Sequence, residues 1–85
     1  MPTSAQVTVT TTATIIVPAT SFDQTANLHN LGGGALYLGG ANVTTANGYK
    51  FDNGDKLTVT VGDNEALYAI TASGTQAIAV LSQIN

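Results

Sequence analysis

Apolar and polar residues alternate with a period of two along most of this chain, the spacing of strands that bury one face. Val7-Thr8-Val9-Thr10 alternates, and Thr14 to Val17 is a β-branched run closed by Pro18. Ala26, Leu28 and Asn30 alternate with Asn27, His29 and Leu31 to give a third strand. Gly32-Gly33-Gly34 permits a tight reversal before a fourth strand from Ala35 to Leu38. The cleanest strand is Lys56 to Val61, with Leu57, Val59 and Val61 on one face and Thr58 and Thr60 on the other. Gly62-Asp63-Asn64 reads as a turn, Ala66 to Ala72 as a strand, Ser73-Gly74-Thr75 as a reversal, and Ala77 to Ser82 as the last strand. No helical period appears, and 13–19 is too β-branched and too close to Pro18 for a helix.

Turn signals recur about every 8–12 residues, as in small sandwiches and barrels. The pattern therefore predicts one all-β domain over 1–85, a small antiparallel β-sandwich or barrel of about seven strands. "NLHNLGGGALYLGG" and "ALYAITASGTQAIAVL" both read as hairpins, an apolar strand, a Gly-containing turn and an apolar strand. Residues 39–55 read as a long connection with turn formers Asn42, Asn47, Gly48, Asn53 and Gly54, and with room for a short pairing at Val43-Thr44. Residues 1–12 are Thr-rich and lack turn signals, which suits an N-terminal arm or exchanged strand.

Composition adds a constraint on stability. A domain of 85 residues buries a modest core and gains from disulfides, metals or oligomerisation. The chain has no cysteine, so oligomerisation is the nearest helper. Charged residues are 8% of the chain, well below the usual ~25%. Thr, Asn, Gln, Ser and Gly must carry the surface, which favours protein–protein packing or an extracellular particle. Two cations make no basic patch, so nucleic acid is not an expected partner. The longest apolar run, Ile15-Ile16-Val17, is too short to span a membrane. "MPTSAQVTVT" has neither the basic start nor the apolar core of a secretion signal.

Candidate chemistry is sparse. His29 is the single histidine, and no Ser lies in a GxSxG-like setting, so a triad is not expected and His29 reads as a strand residue at a surface or interface. Asp52, Asp55, Asp63 and Glu65 lie close in sequence and could bring oxygens to a cation, but their spacing is not that of an EF-hand, and Asp and Asn are default turn residues. No aromatic-lined cleft accompanies them for glycoside chemistry. Gly32-Gly33-Gly34 lacks the GK[ST] ending of a phosphate loop, and Asn42-Val43-Thr44 matches a glycosylation sequon that is common by chance. No enzyme activity, cofactor or metal is expected. Tyr49 and Phe51 flank Lys50 and read equally as a partner contact or as caps on an open end of the sandwich. With Val7, Val9 and Thr10 of the arm, they are the candidate partner or oligomer contacts.

"YLGGANVTTANG", a strand ending in "LYAI" and "SGT" before the last strand, within about Ile15 to Leu81, resemble a small β-domain of tailed-bacteriophage virion surface proteins: capsid decoration, head-fibre and minor capsid proteins. "YKFDNGDK" is more aromatic and charged than that pattern. The resemblance implies a structural role with no catalytic residues. The preferred expectation within it is a capsid decoration protein, a homo-oligomer with a trimer favoured, bound in many copies to the major capsid protein on the outer surface of the virion. The alternative expectation is a head- or tail-fibre module that recognises host-surface carbohydrate.

Overall fold

The computed structural model describes residues 2–31 and 34–84, with the side chains of Pro2 and Thr3 left aside. Eight strands are seen: β1 Pro2–Val9, β2 Thr14–Val17, β3 Gln24–Asn30, β4 Leu36–Gly39, β5 Tyr49–Phe51, β6 Lys56–Val61, β7 Leu67–Thr71 and β8 Gln76–Ile84. They form two four-stranded antiparallel sheets, in the orders β1-β8-β3-β6 and β2-β7-β4-β5. The fold is an all-β sandwich, and this pair of strand orders is that of a jelly roll. Period two placed the strands, as Leu57, Val59 and Val61 illustrate by turning inward from β6 while Thr58 and Thr60 face water.

The core lies between the sheets. Val9, Leu28, Ile78 and Val80 from the first sheet meet Ile16, Val17, Leu36, Leu38, Phe51 and Ala69 from the second. Among the described residues every buried side-chain nitrogen and oxygen has a hydrogen-bond partner.

Two expectations change. β3 and β4 lie in different sheets, and so do β7 and β8, so the two predicted hairpins are arches that cross the sandwich. A strand buried on one face has the same period whether its sequence neighbour pairs beside it or stacks opposite it, so alternation could not separate the two. The predicted reversal at Gly32-Gly33-Gly34 lies mainly outside the described residues. The long connection contains an eighth strand, β5, too short to show a period, while Val43-Thr44 forms no strand. Residues 2–9, within the segment read as an arm or exchanged strand, pair in register with β8, from Pro2 opposite Gln83 to Val9 opposite Gln76.

Six of the seven connections pass from one sheet to the other; the β4–β5 link stays within its sheet. This winding puts β1 and β2 on one rim of the sandwich and β6 and β5 on the opposite rim.

Candidate functional site

The residues with chemical potential do not converge. Asp52 and Asp55 sit in the turn before β6, and Asp63 and Glu65 in the turn after it. The six-residue strand between them spans roughly 20 Å. Each turn uses its own carboxylates. Asp55 Oδ2 accepts from the Asp52 amide at 2.9 Å, and Glu65 Oε1 accepts from the Gly62 amide at 3.2 Å. The Asp63 amide donates to Asp23 Oδ1 at 2.9 Å, tying this turn to the loop before β3. Among the described residues no three His, Asp or Glu side chains gather as a metal site would need. His29 is half-buried on the outer face of β3, opposite Lys56 of β6 and Ala79 of β8.

The "YLGGANVTTANG" segment is a self-tied loop that folds over the outer face of the second sheet. Thr44 and Asn47 hold it: the Thr44 amide donates to Asn47 Oδ1 at 2.7 Å, the Asn47 amide to Thr44 Oγ1 at 3.2 Å, and Asn47 Nδ2 to the Asn42 carbonyl at 3.3 Å. Val43 is buried against Gly39, where an added Cβ would stand 2.9 Å from Val43 Cγ2. At Gly48 a Cβ would stand 2.6 Å from Tyr37 Cβ and 2.9 Å from the Thr44 carbonyl. These glycines serve close packing, with no reactive group involved.

The predicted contact residues separate into two groups. Phe51 is 1% exposed and fills the core opposite Leu36, while Val9 is wholly buried. Both side chains therefore belong to the core. Val7 is half-buried against the core, and Thr10 lies in the corner after β1, where its carbonyl accepts from the Thr71 amide at 3.0 Å. Tyr49, 63% exposed, pairs with Leu38 at the end of β5.

Tyr49 overhangs a feature that sequence reasoning missed. Because β5 has three residues and β6 has six, the two sheets are left ajar on that rim. Leu38, Gly39, Tyr49, Leu57, Val59 and Leu67 line a cleft of about 400 Å³ there. The sequence signal was present in the mismatch of strand lengths, but it had no meaning until the two strands were known to share a rim.

The opposite rim carries β1, whose eight residues include no charge. Among the described residues no strand lies beside its outer edge. Natural edges are usually blunted by short length, charge, proline or bulges. β2 has both a short span and a register break between Ile15 and Val17. β1 has only Pro2, at its very end.

Comparison with known proteins supplies a fold relative. No family model and no curated protein matches the chain. A solved structure from Bacillus endospore appendages, which form a family of disulfide-linked pili, is similar with a TM-score of 0.65 and 14% identity, over 99% of this chain and 85% of that one. At that identity the likeness establishes the sandwich architecture alone. It also corrects the expectation of a phage capsid decoration protein, and of a carbohydrate-binding fibre module: the matching architecture belongs to a bacterial pilus protein. A major capsid protein as partner, and a place on the virion surface, depended on that expectation. One feature of the pili does not transfer, since this chain has no cysteine from which to form a disulfide.

Proposed function

We propose that this chain is a non-catalytic structural subunit of a pilus-like assembly on an outer surface, built from copies of itself by non-covalent contacts. The observation that carries the reading is β1, a long, uncharged edge strand with none of the usual devices against pairing except its terminal proline. Backbone pairing at such an edge needs no particular side-chain chemistry. The low charge of the chain lowers the repulsion between copies, and the likeness to an appendage protein supports the placement outside the cell. The dispersed acids and the lone outward histidine favour a structural over a catalytic role.

The test is light scattering of the purified chain across a concentration series, with electron microscopy of the same samples. The reading requires concentration-dependent multimers and regular filaments that dissociate in detergent and ignore reductant. A chain that stays monomeric at every concentration would overturn it. Immunogold labelling of producing cells tests the location, and label confined to the cell interior would remove the surface assignment.

A further inference from the structure

If copies assemble, the two rims decide how. β1 runs antiparallel to β8, β8 to β3, and β3 to β6. With four strands in the sheet, β1 and β6 therefore point in opposite directions. The same holds for β2 and β5 in the other sheet. A second copy in the same orientation, set beside the first, thus brings its β1 to β6 as an antiparallel pair, and its β2 to the side of β5. Each sheet would then continue across the boundary with unbroken alternation.

Side-chain parity agrees. Ala5, Val7 and Val9 turn inward from β1, since Ala5 lies opposite Val80 and Val7 opposite Ile78. Leu57 and Val59 turn inward from β6. Antiparallel partners directly opposite each other share a face. Any register that keeps the faces together therefore sets odd-numbered residues of β1 against odd-numbered residues of β6, with Ala5 and Val7 beside Leu57 and Val59.

The rims also differ in shape and charge. The β5–β6 rim is hollow, with its apolar cleft beneath Tyr49. It also carries the Lys50–Asp52 ion pair at 3.6 Å and Lys56, whereas β1 and β2 carry no charge. Two β5–β6 rims brought together would leave cleft facing cleft. A β5–β6 rim against a β1–β2 rim avoids this mismatch.

We infer that the partner of the apolar cleft at Leu38, Tyr49, Leu57 and Val59 is a second copy of this chain, docked by its β1 edge on β6 in a head-to-tail contact. This rests on the proposed self-assembly and names its interface. Such a contact uses different patches on the two partners and repeats from copy to copy, forming a filament unless the rotation closes a ring.

The absence of cysteine makes a direct test available. Gln6 on β1 and Thr58 on β6 are both exposed on the outer face. Within one copy two strands lie between them and they stand two residues out of register, a separation of roughly 16 Å. The double variant Gln6→Cys with Thr58→Cys is treated with a bis-maleimide too short to cross two strands. Covalent species larger than dimers are expected from the double variant, and monomers from each single variant. Dimers from Gln6→Cys alone, or assembled material in which the double variant does not cross-link, would overturn the head-to-tail contact while leaving self-assembly intact. Absence of assembly in the unaltered chain would instead remove the proposed function and this interface with it. Ala5→Lys provides the second arm: Ala5 is exposed in one copy, so the fold and its Tm should stay unchanged while assembly is lost. Unchanged assembly of that folded variant would overturn the inference.

Discussion

The side-chain amide of Asn30 donates to the main-chain carbonyl of Phe51 at 2.9 Å, joining the end of β3 in one sheet to the end of β5 in the other. The same Nδ2 donates to the Gly34 carbonyl at 2.9 Å, and the Asn30 backbone exchanges hydrogen bonds with Asp55 and Gly54. Asn30 is wholly buried. It therefore fastens three segments where the chain crosses between sheets. Asn30→Ala removes this donor from the buried bond to the Phe51 carbonyl and from the part-buried bond to the Gly34 carbonyl, and a buried group left unsatisfied costs about 1–3 kcal/mol. Urea unfolding should show a lower midpoint at unchanged slope. A midpoint equal to that of the unaltered chain would mean that the carbonyls find other donors.

Phe51 and Tyr49, two residues apart, should behave oppositely. Phe51→Ala empties a core position and should cost about 3–5 kcal/mol. That is a large part of the stability of so small a domain, and it should appear in thermal melts. Tyr49 stands 63% exposed over the cleft, so Tyr49→Ala should leave the Tm within a few degrees while weakening copy-to-copy association. Equal losses of Tm for the two variants would contradict this division.

At Gly48 the neighbours are a side-chain root and a main-chain carbonyl, neither of which can swing aside. Gly48→Ala should displace the loop over 40–48 from Tyr37 and expose Val43. The expected loss is about 1–3 kcal/mol, as for other overpacked sites. Hydrogen exchange should show faster exchange of the Gly48 and Val43 amides, while the amides of β3 and β8 stay protected. Slow exchange of the Val43 amide in the variant would show that the loop absorbs the methyl group.

Both Asn-Gly pairs are held in a way that opposes deamidation. Asn is chemically labile, and before Gly it cyclises when the following amide nitrogen attacks the side-chain carbonyl. The Gly48 amide donates to the Thr44 carbonyl at 2.9 Å and the Gly54 amide to the Asn30 carbonyl at 3.2 Å. Peptide mapping after prolonged incubation should find Asn47 and Asn53 intact in the folded chain and converted after unfolding in urea. Similar conversion in both conditions would show that these bonds give no protection.

Much of the architecture is legible in the order of the residues. Val7 and Val9, or Leu57, Val59 and Val61, announce their buried faces because side chains in an extended chain alternate sides, a local geometric fact. The lack of any helical period is equally plain from the same alternation. Asn30, by contrast, reads only as part of a strand: a buried Asn tied to Phe51 and Gly34 has no sequence mark, since its acceptors are main-chain carbonyls that every residue carries.

The sequence by itself determined where the alternating strands run and which of their residues face inward, because period two depends on the backbone alone. Only the tertiary structure decided that β3 and β4, or β7 and β8, stack across the core rather than pair, because a hairpin and an arch bury the same side chains. It alone set the three-residue β5 beside the six-residue β6, opening the cleft under Tyr49, and placed uncharged β1 on the opposite rim. Both are relations between segments far apart in the chain, fixed by how two sheets close over one core.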